Sequence, residues 1–289
     1  MKNKKISYYI LGFLAISAIL VWLAVYQNRV SDKNLKIIYC DVGQGDAILI
    51  KAPGEEEVLV DGGPDSSVLS CLGENMPFYD RKIGSIVLTH PHLDHIAGLI
   101  EVLKRYEVDE FWLTGIEYKS DEYKILLDLI KQKSIPIKYA QRGSYVRKQD
   151  DLKIKILYPV ENLKGREIDN LNNSSIVSEV RYFEFKTLLM GDLEISEQNK
   201  LIGLISHVQI LKVSHHGSAN AFLTEFLSQL KPEKAVISVG EKNRYGHPTQ
   251  KTIDLLGRFS VKIFRTDKNG TIIISSDGEK YWYKTNKGL

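Results

Sequence analysis

Four side chains able to bind a metal ion fall within six positions of this sequence, His90-Pro91-His92-Leu93-Asp94-His95, and the flanks fix how that segment is held. Before it, Ser85-Ile86-Val87-Leu88-Thr89 is a β-branched apolar run of strand length; after it, Ile96, Leu99, Ile100 and Leu103 recur at the spacing of one helix face. A strand, a loop of donors and a helix therefore follow in that order. Nitrogen and oxygen donors held between two rigid elements suit a metal site. Histidine supplies only 7 of 289 residues, with three of them here and two more adjacent at His215-His216, so a solvated surface turn is a poor account of the cluster.

Far upstream, Ile6 to Tyr26 gives 21 consecutive uncharged residues, roughly 31 Å of helix and about one bilayer core. Tyr8, Tyr9, Trp22 and Tyr26 stand near its ends, where interfacial aromatics concentrate, a placement a buried core helix does not need. The expected organisation is a cytoplasmic N-terminus (1–5), a transmembrane anchor (6–26), a linker (27–34) and a body (35–289). A cleaved signal peptide competes with the anchor, but its apolar region would be shorter, and no clear A-x-A site precedes Gln27. Lys2, Lys4 and Lys5 place the body on the outer side of the cell membrane, against the weaker opposing pull of Arg29 and Lys33.

Charge divides at the same boundary. Of the formal +3, residues 1–33 carry +4 and residues 34–289 carry −1, so the body lacks the general basic footprint of a duplex-DNA binder. An oxidising exterior would let Cys40 and Cys71 pair, but Cys40 lies in an apolar run where a buried free thiol is also common. Both alternatives remain open in the sequence.

Within the body, strands are expected at 36–40, 46–51, 57–61 and 85–90, then helices after His95 and around 123–130. A second series follows, with strands at 153–158, 174–185, 187–190, 208–214 and 234–239, helices around 194–204, 219–230 and 249–259, and closing strands at 261–265, 270–275 and 280–284. Tyr182, Phe183 and Phe185 are expected to pack in a sheet. Two successive mixed halves with no linker between them predict one α/β domain, two sheets face to face with helices outside.

The His90–His95 segment resembles the H-x-H-x-D-H motif of metallo-β-lactamase-fold hydrolases, and further motifs of that family follow in order. Asp61 in Leu59-Val60-Asp61-Gly62-Gly63 resembles the carboxylate that braces the metal loop, Gly191-Asp192 the bridging aspartate, and His215-His216-Gly217-Ser218 the late histidine motif. More narrowly, DVGQGDA (41–47), HPHLDH, GDLE (191–194), LKVSHHGS (211–218), AVISVG (235–240) and NRYGHP (243–248) together look like the C-terminal hydrolase domain of ComEC-type competence proteins, over nearly all of residues 35–284. The resemblance implies a four-layer αββα sandwich behind the transmembrane helix.

It also implies roles. His90 and His92 would serve a first divalent metal, Asp94 and His95 a second, with Asp192 as the bridge and His216, ahead of His215, completing the second site. Asp94, His215 and His247 are the catalytic candidates; Asn173, Ser174, Ser218 and Tyr245 are candidates for holding phosphate oxygens. One departure stands out: where many relatives add a histidine ahead of the bridging aspartate, this sequence reads Asn172-Asn173-Ser174-Ser175, as the ComEC-like branch does. That leaves the first metal with fewer protein ligands and leaves zinc and manganese both open.

The implied chemistry is attack of a bridging hydroxide on phosphorus, which suits a phosphodiester and, by the resemblance, DNA during uptake. A full-length competence protein of this family also carries a multi-helix channel, so a separate channel protein is an expected partner. Two other readings stand beside the nuclease: a small-substrate phosphodiesterase resembling phosphorylcholine esterases, and a non-catalytic module that binds DNA or an envelope ligand.

Overall fold

Strands buried on both faces read as nearly unbroken apolar runs, and β1 (Leu35–Tyr39), β2 (Ile48–Lys51) and β3 (Val58–Val60) do so because they lie mid-sheet. The computed structural model describes residues 2–31 and 34–288, with side chains described for 8–22 and from 34 onward. With β4 (Lys82–Val87), β5 (Glu107–Leu113) and β6 (Ile137–Tyr139), and with β14 (Ile272–Ser276) and β15 (Tyr281–Thr285) returning from the far end, these strands form an eight-stranded sheet in the order β15-β14-β1-β2-β3-β4-β5-β6. A seven-stranded sheet holds β7 (Tyr145–Lys148), β8 (Leu152–Tyr158), β9 (Val177–Tyr182), β10 (Phe185–Leu189), β11 (Ile210–Lys212), β12 (Lys234–Ile237) and β13 (Lys262–Arg265) in the order β13-β12-β11-β10-β9-β8-β7.

The period of two along each strand sorts side chains into separate cores. Ile37, Tyr39, Ile48 and Val60 meet Ile154, Val180, Ile210 and Val236 between the sheets. Their neighbours Ile38, Leu49 and Leu59 face outward and pack under α3 (Leu93–Arg105) and α4 (Asp121–Gln132) through Ile96, Leu99, Leu103, Leu126 and Ile130. On the other sheet Leu188, Leu211 and Ala235 pack under α6 (Thr224–Leu230) and α7 (Gln250–Arg258) through Phe226, Leu227, Leu230 and Leu256. The layers run α, β, β, α, as expected. Each fully buried aliphatic on α3 contributes about 2 kcal/mol of apolar transfer, so the helix behind the histidine loop is firmly seated.

Several elements differ from the sequence expectations. The strand expected over 174–185 is a 3-10 turn (Leu171–Ser174) followed by β9, which ends at a hairpin where Phe183 takes a φ of 50°. Phe183 is thus at a turn and half exposed, while Tyr182 and Phe185 are in the inter-sheet core. The helix expected over 194–204 is only α5 (Ile195–Gln198) and a short 3-10 turn, and a further short helix, α8 (Thr266–Asn269), follows β13. Strands β5, β6 and β7 and helix α2 (Ser67–Asn75) had no counterpart in the periodicity.

Cys40, just past β1, and Cys71, in α2, form a disulfide with Cα atoms 5.9 Å apart. The open question of their pairing is settled in favour of the bond.

Helix α1 (Lys2–Ser31) exposes apolar side chains at consecutive positions, among them Tyr8, Tyr9, Ile10 and Leu11, and again Leu20, Val21 and Trp22, and so on every face. Among the described residues no helix is long and apolar enough to cross a membrane. The expected anchor, 6–26, runs past them: the side chains of 6, 7 and 23–26 lie outside the described residues.

Candidate metal centre

The turns that follow β3, β4, β10, β11 and β12 converge, and each carries a candidate site residue. Asp61 follows β3 with a φ of 57° and is fully buried. Its carboxylate accepts from the Thr89 amide at 2.8 Å, the Thr89 hydroxyl at 2.7 Å and His95 Nδ1 at 2.8 Å. That bond commits His95 Nδ1 to Asp61 and leaves Nε2 facing inward. The turn after β1 presses on the same loop: a Cβ at Gly45 would lie 2.1 Å from the Asp94 carbonyl oxygen, so no larger residue fits there.

His216 is held in the same manner from the opposite sheet. Its Nδ1 donates to the Ser238 carbonyl at 2.9 Å, and its Nε2 lies 3.3 Å from Asp94 Oδ2 and 3.4 Å from Asp192 Oδ2. Both His215 and His216 take left-handed φ values, 45° and 51°, which point their rings in different directions from one tight turn. Asp192 Oδ2 sits at the centre, 3.4 Å from His95 Nε2 and 3.9 Å from His90 Nε2 as well. His90 Nε2 in turn lies 2.9 Å from His92 Nδ1 at the start of α3.

Metal fit can be judged from what these atoms lack. His95 Nε2, His216 Nε2 and Asp192 Oδ1 are buried without a hydrogen-bond partner, a condition folded proteins rarely leave uncompensated. Two overlapping groups, His90 with His95 and Asp192, and Asp94 with His95 and His216, can each bring ligand atoms within 4.8 Å of one another. The donors are imidazoles and carboxylates, as borderline and hard divalent cations require. The residues present fit the ions.

The electrostatics agree. Burial opposes charge on His95 and His216, yet Asp192 and its neighbouring carboxylates hold His95 well above the ordinary imidazole range and push His216 up to about 10. Burial likewise disfavours an ionised Asp192, but His216 and His95 keep its carboxyl well below the usual range. A cluster that draws protons onto two buried imidazoles is one where cations can replace those protons. Burial and the nearby His95 keep His90 well below the ordinary value, hence neutral and free to act as a donor ligand.

The remaining sequence candidates divide. His215 is a quarter exposed, with Nδ1 3.3 Å from Glu194 Oε1 and the Asn172 amide at 3.3 Å, and its ring meets His247 edge-on at 5.4 Å between centroids. His247 stacks on Tyr245 at 5.8 Å, and Asn243 braces their loop through the His247 amide and carbonyl. Burial, then His215, lowers the His247 imidazole to about 4. Asn173 and Ser174 are turned elsewhere: Asn173 bonds Ser196 and the Glu194 amide, and the Ser174 hydroxyl donates to the Leu171 carbonyl. Their neighbours Asn172 and Ser175 take the inward positions, Ser175 Oγ accepting from the Asp192 amide at 3.0 Å beside His90. That displacement by one residue follows from the 3-10 turn at Leu171–Ser174 standing where a strand was expected. Ser218 is buried, and its hydroxyl accepts from the Asn220 amide.

Sequence reasoning also missed Asp46, Lys212 and Glu194 as individuals, although the quoted DVGQGDA, LKVSHHGS and GDLE motifs contain them.

The Metallo-beta-lactamase superfamily profile matches residues 40–241, a segment holding Asp61, the histidine loop, Asp192 and His216. The chain belongs to this superfamily. Metallo-beta-lactamase folds commonly bind two divalent metals, in keeping with the His and Asp groups here. The chain is 31% identical over 285 residues to ComE operon protein 3 of Bacillus subtilis, covering 92% of this chain and 35% of that protein. It is 26% identical to Competence protein ComA of Neisseria gonorrhoeae, over 85% of this chain and 33% of that one. Both are ComEC-type competence proteins, as the motifs suggested, and this metallo-beta-lactamase chain spans about a third of the length of each. CmlA, a diiron beta-hydroxylase from Streptomyces venezuelae, shares the fold with a TM-score of 0.51 at 15% identity, over 80% of this chain and 52% of that one.

Proposed function

We propose that this chain is a membrane-anchored, metal-dependent phosphodiesterase on the outer side of the cell membrane, and that it acts as a nuclease on DNA. The observation that carries the hydrolase reading is the convergence of Asp94, His95, Asp192 and His216, with His95 Nε2, His216 Nε2 and Asp192 Oδ1 buried and unpartnered. The similarity to competence proteins supports DNA as the substrate. Apolar side chains on every face of α1 support an anchor over 6–26 that leads into the body at 35–289, and the Cys40–Cys71 disulfide supports an oxidising exterior.

His90, His92, Asp94, His95, Asp192 and His216 would hold two divalent cations, Zn2+ or Mn2+. Such ions, when bound, supply Lewis acidity that neutralises phosphoryl charge and acidifies water. Asp61 and the Ser238 carbonyl fix the tautomers of His95 and His216. His215, beside the Glu194 carboxylate, carries the proton that the leaving alkoxide takes up. His247 is neutral at pH 7, with a value near 4, and serves as a hydrogen-bonding wall with Tyr245.

The near-neutral body favours a second reading, a small-diester substrate, because extended DNA contact normally calls for a basic groove. The test presents the purified chain, with Mn2+ or Zn2+, with single-stranded DNA, duplex DNA and bis-p-nitrophenyl phosphate. Cleavage of DNA, abolished in Asp192→Ala together with binding of the second metal, is the expected result. Cleavage of the small diester alone selects the second reading; two bound metals with no cleavage of any substrate would leave only a binding module.

A further inference from the structure

Lys212 is 1% exposed and Asp46 is also 1% exposed, yet they form an ion pair with Nζ 2.6 Å from Oδ2. Lys212 lies at the end of β11 in one sheet; Asp46 lies in the turn between β1 and β2 of the other. The lysine's further bond is to the Val213 carbonyl at 3.0 Å, two residues before His215. Asp46 is tied in on its own side too: its amide donates to the Asp94 carbonyl, and its carbonyl accepts from the Gly63 amide. Its second oxygen, Oδ1, has no hydrogen-bond partner and lies 3.7 Å from His216 Nδ1. A buried ion pair is a poor source of net stability, since an apolar pair of similar volume does as well or better. Its place against the His216 ring calls for a different account.

Resting on the metal-centre reading above, we propose that Lys212 and Asp46 are positioning residues. Their ion pair fastens the turn of one sheet to the histidine turn of the other, keeps Asp46 off the cations, and holds His216 with Nε2 facing them. Asp46 is close enough to Asp192 and His216 to join them around an ion, and the lysine is what ties it back. The pair acts on metal binding through His216 and touches no substrate.

The experiment uses the full chain and three variants, Lys212→Met, Asp46→Asn and the double change. Mn2+ affinity and stoichiometry are read by equilibrium dialysis, the ligand field by the visible spectrum of the Co2+ form, and folding by thermal melting without metal. Outer partners of metal ligands are typically worth about 10- to 100-fold in affinity. Asp46→Asn is expected to lose that much for one cation, Lys212→Met, which frees Asp46 toward the cations, to shift that affinity by a similar factor, and both to alter the Co2+ spectrum. The double variant, with no unpaired buried charge, is expected to melt near the parent yet keep the weakened affinity and altered spectrum. Parent-like affinity in the double variant would reduce the pair to a structural strut and overturn the proposal. So would native affinity in Lys212→Met alone, since Asp46 would then act without the lysine. Should a single variant fail to fold, the double variant decides by the same two readouts. A parent chain that binds no divalent cation defeats the metal-centre reading itself, a separate outcome.

Discussion

Adjacent histidines on one tight turn make the sharpest residue-level contrast in this protein. His216 is buried between Asp94 and Asp192 with its outer nitrogen committed to Ser238, whereas His215 is partly exposed beside Glu194 and Asn172. His216→Ala should therefore lose about one of two cations per chain, read by elemental analysis after dialysis. His215→Ala should keep both cations while cleavage of a DNA oligonucleotide, whose leaving alkoxide needs a proton, falls by about 10²- to 10⁴-fold, the usual range for a general acid. The reverse pattern would exchange their roles. The histidine loop was legible in the sequence because its donors lie within one turn of chain between two periodic elements. Asp46 and Lys212 were not, because 166 positions separate them and only the packing of two sheets joins them. Asn172 and Ser175 were missed by one residue each, since residue identity around a 3-10 turn does not reveal which side chains point inward.

At the scale of elements, legibility followed burial. β1 to β4 and β8 to β12 showed as apolar runs, but β5 begins Glu107-Val108-Asp109-Glu110 with Glu107 and Asp109 facing solvent, and β7 is Tyr145-Val146-Arg147-Lys148 at a sheet edge. Strands of that kind are specified by their neighbours more than by their own composition. Helix α2 is short and interrupted by serine and glycine, and it is held partly from outside, by Cys71. The disulfide closes a loop of 31 residues between the end of β1 and this helix, which in the chain-entropy model is worth about 3–4 kcal/mol. The Cys40→Ser, Cys71→Ser double variant should be less stable by that amount in urea unfolding, and dithiothreitol should destabilise the parent but leave the variant unaffected. Because α2 packs against α3, loss of the bond should loosen the support behind the histidine loop.

For the whole molecule, the division of charge matters more than its sum. The +4 of residues 1–33 is spent beside the membrane in the proposed topology, and residues 34–289 offer a DNA strand a surface of net −1. Under the proposed nuclease reading, that charge predicts few and local phosphate contacts, made chiefly at the metal centre and by the side chains around His215 and His247. Single-strand binding falls with salt with a logarithmic slope of about −0.7 for each phosphate neutralised. With about three contacts, raising monovalent salt from 50 to 200 mM should weaken oligonucleotide binding by no more than about 20-fold, whereas a groove of about eight contacts would lose roughly 2000-fold. Fluorescence anisotropy of a labelled phosphorothioate single strand, which keeps its charges and resists cleavage, on the metal-loaded parent chain measures the slope. A shallow slope would mean that specificity for DNA comes from the site and from a partner that delivers the strand. A steep one would reveal a basic track within a neutral body and would set aside the small-diester reading, since a small ester has no use for distant phosphate contacts.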